Sequence, residues 1–266
     1  MKRLILMVAF AVLAAVPAFA DEDYVSTSNG SIIVYNTTTG GFTLLGTNSH
    51  VVYGLGVNSG TVYANDNGTS SVGFYSVNTS TGALNSIGNI SGATSGQGAI
   101  TSLQGGGAIY YFDHSNNLFT IAPGTGTATL VGPLGFTVAG SWDIDFAPNG
   151  NLYGTSNGNF YQINTTTGAG TFLGSDGAQL QGLVAGDGGL YGFSGTNMYS
   201  INLTDGALTF VRSTPSGLGN FETGTEVPAT TTTTPEPSAL ISLMVGLSLV
   251  GGLAFWSKGR SRVVPA

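Results

Sequence analysis

The sequence predicts an all-β chain: a five-bladed β-propeller of four-stranded repeats of ~42 residues, with an N-terminal signal peptide and a single C-terminal transmembrane helix. Three observations carry this. A turn glycine recurs at Gly40, Gly82, Gly126, Gly168 and Gly206, at intervals of 42, 44, 42 and 38 residues. The 43 glycines, the abundant Asn and Thr, and a charged fraction of only 7% suit short strands and tight turns rather than helices. Both ends of the chain carry apolar runs that stand outside the repeat.

Each unit reads as four strands. The first is a run such as Trp142-Asp-Ile-Asp-Phe-Ala-Pro-Asn-Gly150, matched by Gln181-Gly-Leu-Val-Ala-Gly-Asp-Gly188. It alternates with period two and ends in a turn signal, as a strand entering a hairpin does. The second opens on an apolar residue followed by Tyr: Val62-Tyr63, Ile109-Tyr110, Leu152-Tyr153 and Leu190-Tyr191. The third is an alternating strand that ends before or at a turn Asn (Asn36, Asn78, Asn164 and Asn202). That side chain can bond nearby backbone amides, and the following Gly accepts the positive φ of a tight hairpin. The fourth strand reaches Gly46, Gly88, Gly132 or Gly174, with Arg212 taking that place in the fifth copy and marking an edge of the array. In the third copy Ala122-Pro-Gly-Thr-Gly126 replaces the Asn-containing turn, so its turn must be held differently.

The first copy lacks an opening strand, because almost nothing precedes Tyr24. An orphan segment, Ser216-Gly-Leu-Gly-Asn-Phe-Glu222, remains after the fifth. Pairing this segment beside Tyr24 to Ser28 would close the ring and leave no long free edge. An open, solenoid-like stack is the alternative.

The N-terminus has the parts of a secretory signal over residues 1–20. Lys2 and Arg3 form the basic start, Leu4 to Val16 the apolar stretch, and Ala18-Phe19-Ala20 a signal-peptidase site. The repeat domain is then assigned to 21–222, and a Thr/Pro-rich linker, with Thr230 to Thr234 in succession, to 223–234. Pro235-Glu236-Pro237-Ser238 follows, then the uncharged span 239–256, whose helical length of ~27 Å is close to the hydrocarbon thickness. Lys258, Arg260 and Arg262 place the far end in the cytoplasm.

Pro-Glu-Pro, an apolar span and a basic end, in that order over 235–262, resemble the PEP-CTERM sorting signal of exosortase substrates. The basic end departs from a tight Arg cluster, being interrupted by Gly259 and Ser261. The resemblance implies an inner-membrane-tethered intermediate, removal of the tail by an exosortase, and a final place at the cell surface or in the exopolysaccharide matrix of a Gram-negative bacterium.

Chemistry is sparse. There is no Cys, so packing and strand closure must hold an exported domain without disulfides. All 13 acidic residues lie between Asp21 and Glu236, where Arg212 is the sole basic residue. This predicts an acidic surface that repels phosphate backbones and excludes nucleic acid as a partner. His50 and His114 occupy non-equivalent places in their repeats, and Asp113-His114 reads as a solvated turn. The glycosylation-type sequons include the repeated turn Asn residues, for which a structural role is expected. Asp143 and Asp145 are the weak metal candidates, since residues two apart on a strand share a face and could reach a calcium ion. The same string also fits a blade opening in which Asp satisfies backbone amides.

The function expected is that of a non-enzymatic surface or matrix propeller, with no cofactor. It would bind exopolysaccharide or an envelope protein through its top loops or channel mouth, using some of its Tyr as stacking platforms. The alternatives are a calcium-dependent propeller hydrolase or lyase, drawing on Asp66, Asp113, Asp143, Asp145 and Asp187, or a plain membrane-tethered scaffold.

Overall fold

Short strands separated by glycine turns have one efficient way to bury both faces: stacking sheet against sheet around a ring. A computed structural model describes residues 22–227 apart from 69–70, 94–96, 104–106 and 187. The signal segment with Ala18 and Ala20, Asp187, and the sorting tail from Pro235 to Arg262 lie outside the described residues. Among the described residues there is no helix.

Blade 1 holds β1 (Glu22–Thr27), β2 (Ser31–Asn36) and β3 (Phe42–Thr47). Blade 2 holds β4 (Val52–Asn58), β5 (Thr61–Asp66), β6 (Gly73–Val77) and β7 (Leu84–Asn89). Blade 3 is β8 (Gly98–Ser102), β9 (Ile109–Asp113), β10 (Asn117–Ile121) and β11 (Ala128–Pro133). Blade 4 is β12 (Trp142–Phe146), β13 (Leu152–Ser156), β14 (Asn159–Ile163) and β15 (Gly170–Ser175). Blade 5 is β16 (Gly182–Gly186), β17 (Gly189–Ser194), β18 (Asn197–Ile201) and β19 (Leu208–Ser213). The last strand, β20 (Phe221–Glu226), completes blade 1 in the order β20-β1-β2-β3.

The ring is therefore closed by pairing the end of the chain with its start, Tyr24 opposite Thr225 and Ser26 opposite Thr223. The orphan segment does close the ring, but the strand lies further along than expected. It takes Thr223 to Glu226 from the stretch read as linker. Thr is β-branched and fits a pleated, half-buried surface. Here Thr223 and Thr225 are buried in the closing strand, so a Gly/Thr composition that resembles a linker is strand once a partner edge is waiting.

The innermost strands β20, β4, β8, β12 and β16 pack side by side around the axis. Glycines let them approach. A Cβ on Gly54 would lie 2.1 Å from the Ile100 amide, and one on Gly182 2.7 Å from the Glu222 backbone. The core is five layers, one between each pair of neighbouring blades. Ile32 and Tyr24 meet Leu55 and Val62, Phe74 meets Ile100 and Tyr111, and Phe112 and Leu118 meet Ile144 and Leu152. Phe160 meets Leu183 and Leu190, and Tyr35 meets Phe193, Met198 and Phe221 across the closing joint. An open stack would expose one such face at each end, which is the physical reason for closure.

The repeated turn residues sit where expected. Gly40, Gly82, Gly126, Gly168 and Gly206 all have positive φ, between 66° and 79°. The Asn36, Asn78, Asn164 and Asn202 carboxamide oxygens accept amides two or three residues on. In the third copy Gly126 N–H still donates to the Ala122 carbonyl at 2.9 Å, but the residue next to Ala122 is Pro123. Its fixed φ stands in for the Asn acceptor.

The fourth strand of every blade carries a bulge at the same register step, opposite Ile32/Ile33, Phe74/Tyr75, Leu118/Phe119, Phe160/Tyr161 and Met198/Tyr199. Gly46, Gly132 and Gly174 lie there against a turn carbonyl of the next blade (Thr81, Thr167 and Asp205), leaving no room for a Cβ. Arg212 occupies that place at the joint of blade 5 with blade 1, and its guanidinium donates to the Thr38 carbonyl. Arg212 thus marks the closing seam; the array has no edge there.

Candidate functional site

The five inner strands all begin at one end of the ring. At that level they present Glu222, Tyr53, Gly98, Trp142 and Gly182. Because β8 and β16 offer only glycine here, Tyr53 and Trp142 meet across β8, with ring centroids 6.3 Å apart. Trp142 also takes the Phe112 ring at 5.6 Å and the His114 ring at 5.0 Å, both edge-on. Phe112 and His114 come from the end of β9 and the turn after it. The turn is fixed by Asp113, a buried carboxylate that accepts the Ser115 and Asn117 amides. His114 is therefore packed against an aromatic ring at the channel mouth, which corrects its reading as a solvated turn.

Two features of this mouth point to a ligand. Trp142, Tyr53, His114 and Glu222 are each half-buried rather than sealed. The His114 Nε2 and the Gln181 Nε2, the latter just before β16, are buried and without a hydrogen-bond partner. Such groups are costly to leave unmade, and they are supplied here by two different blades. Burial holds the His114 imidazole below its usual range despite Asp113 beside it, so it is neutral near pH 7. Burial raises the Glu222 carboxyl to about 7. Burial, and then Glu222, raise the Tyr53 phenol. The mouth thus combines flat aromatic surface with neutral imidazole, amide, phenol and carboxyl groups. This suits a ligand that offers both apolar faces and hydroxyl or amide groups.

Next along β12 from Trp142 lie Asp143 and Asp145. Asp143 Oδ1 accepts the Ile144 amide at 2.9 Å and Oδ2 the Leu183 amide at 2.7 Å. Asp145 Oδ1 accepts the Thr101 hydroxyl at 2.6 Å and the Phe146 amide, while Oδ2 accepts the Ala185 amide at 2.8 Å. Asp143 and Asp145 therefore bind blade 4 to blade 5, and Asp145 also binds it to blade 3. Ser26 and Asn65 do comparable work at other joints, bonding Val52 O at 2.8 Å and both Gly98 O and Ile100 N.

The acidic pair does not fit a calcium ion. Every carboxylate oxygen is already engaged by an amide or hydroxyl donor, and among the described residues no three His, Cys, Asp or Glu side chains gather. Burial drives Asp143 well above the ordinary carboxylate range and Asp145 to about 8.

Most of the described acids do not lie on the open surface. Of the described acids, Asp23, Asp113, Asp143, Asp145 and Asp176 are buried and Asp66, Glu222 and Glu226 half-buried; Glu22 and Asp205 alone are exposed. Asp66 is engaged locally by the Tyr75 hydroxyl at 2.8 Å, the Gly73 amide and His50. The acids were read as a solvated shell because their number is visible in sequence and their partners are not.

No family model matches the chain, and no curated protein matches it. Solved structures do. A crystal structure of a nidogen/laminin complex contains a chain 15% identical, with a TM-score of 0.53, covering 77% of this chain and 97% of the other. A structure described under the de novo evolutionary emergence of a symmetrical protein shaped by folding constraints gives 17% identity and a TM-score of 0.53, covering 78% and 99%. At these identities the likeness is one of fold alone.

Proposed function

We propose that this chain is an exported, non-enzymatic binding propeller of a Gram-negative cell surface or extracellular matrix. It takes an exopolysaccharide or an envelope protein at the channel mouth. The observation that carries the reading is the mouth itself: Tyr53, Trp142 and His114 brought together from three blades, with unpartnered nitrogens on His114 and Gln181. A structural neighbour found in a complex, nidogen with laminin, supports a binding role for the fold.

Export and sorting rest on the two ends of the sequence. Signal peptidase would cleave after Ala20. The tail from Pro235 to Arg262 would hold the protein in the inner membrane until an exosortase cut near Pro235-Glu236-Pro237-Ser238. Both ends of the ring support this arrangement. The Val227 amide donates to the Glu22 carbonyl, so the chain enters and leaves at the end opposite the mouth.

The test pairs two measurements on the native protein. Intact mass from envelope and medium fractions should lack residues 1–20 and end near Pro235 to Ser238. Capture from the producing cell's matrix extract should recover one polysaccharide or one envelope protein, and Tyr53→Ala should reduce that capture without moving the melting temperature by more than a few degrees. A mass retaining 239–266 in the final location would refute the sorting step. Capture that Tyr53→Ala and His114→Ala leave untouched would refute the mouth as the site.

A further inference from the structure

The outer strands share a register position that stays exposed. Opposite Ile33, Tyr75, Phe119, Tyr161 and Tyr199 stand Leu44, Ser86, Leu130, Phe172 and Phe210. The residue after each turns inward against the next blade, as Leu173 and Val211 do. The one at this position turns out. Phe172 is 57% exposed and Phe210 56% exposed. In blades 4 and 5 the opposing residue is also aromatic, giving two equivalent couples. Tyr161 meets Phe172 edge-on at 5.7 Å, and Tyr199 meets Phe210 edge-on at 6.0 Å. Phe136 stacks on Tyr161 at 3.8 Å and 7°, which fixes that ring in place.

We infer that the rim of blades 4 and 5 is a second binding surface, built for a neutral polysaccharide that spans the Tyr161/Phe172 and Tyr199/Phe210 couples. Three observations select this occupant. The couples repeat at one register position in adjacent blades, which matches a ligand that itself repeats and gains from simultaneous contacts. The strands bearing them carry no carboxylate, and their one cation, Arg212, is half-buried and engaged with Thr38, so the surface has nothing to offer an anionic polymer. Tyr161 and Tyr199 each bring a phenol hydroxyl to the same face as the exposed Phe ring. A second copy adding by strand pairing is opposed by the bulge in each outer strand, which interrupts the free ladder. The surface is independent of the mouth.

The test is affinity electrophoresis of the full chain through gels containing dextran, mixed-linkage β-glucan, galactomannan or anionic alginate. Melting temperature and sedimentation are followed in parallel. Retardation by at least one neutral polymer is expected and none by alginate. Phe172→Ala and Phe210→Ala should each weaken retardation by about threefold and the double variant by about tenfold, with unchanged melting temperature, since both rings are exposed. Tyr53→Ala, at the mouth, should leave it unchanged. The inference is overturned if no neutral polymer retards the chain, or if retardation survives the double variant. It is also overturned if sedimentation shows a dimer that the double variant abolishes, which would assign the rim to a second copy.

Discussion

Raising the pH should destabilise this propeller, and the size of the effect follows from its axis. Asp145 is buried, carries no cationic partner, and has its carboxyl raised by burial from 3.8 to about 8. Between those values the folded chain holds a proton that the unfolded chain has released. Stability is therefore fully present below about pH 4 and is lost as pH climbs toward 8. Each unit costs at most about 1.4 kcal/mol for this group. Over about four units that is on the order of 5 kcal/mol, comparable to the whole stability of many domains.

Glu222 and Glu226, each raised to about 7 by burial, and Asp143, held well above its ordinary range by burial, act in the same direction. The assay is the urea midpoint at pH 5, 6, 7 and 8, compared with Asp145→Asn. The substitution places an amide N–H2 against the Ala185 amide and removes an acceptor, costing about 1–3 kcal/mol at pH 5. It also removes this group's share of the slope. A midpoint that rises with pH, or an equal slope in Asp145→Asn, would refute the reasoning.

Other outcomes follow from single contacts. Phe221→Ala empties a fully buried site between Tyr35 and Phe193, with centroids at 5.1 and 5.0 Å, and should cost about 3–5 kcal/mol in chemical denaturation. Gly174→Ala places a Cβ 1.8 Å from the Asp205 carbonyl, so the joint of blades 4 and 5 must open. We expect a fall in melting temperature well beyond that of an exposed control such as Thr171→Ala. Arg212→Ala removes the seam contact to Thr38 and should speed proteolysis at the joint of blades 5 and 1, with little change elsewhere.

How much of this was legible in sequence depends on distance along the chain. The turn glycines, the Asn caps and the apolar-Tyr strands are local signals, and each lands in its place. The closing strand was recognisable as an orphan, but its register was not. Thr223 and Thr225 become strand only because the edge of β1, nearly 200 positions earlier, waits for them. The mouth was least legible. Trp142 was read as the start of a strand and His114 as part of a turn, and nothing local says that they touch, or that Gly98 clears the way for Tyr53. Asp143 and Asp145 misled for the same reason, since the Leu183 and Ala185 amides they accept lie on the next blade, 40 residues away.

The central claim, that the mouth is where this propeller binds, has a built-in reporter. The chain has two tryptophans, Trp142 and Trp256, so Trp256→Phe leaves the mouth residue as the sole tryptophan. Titrating that chain with the polysaccharide or protein recovered by capture should give a saturable change in tryptophan emission. Its midpoint should match that of binding measured independently, and Tyr53→Ala should shift both together. Full binding with Trp142 emission unmoved would contradict the account.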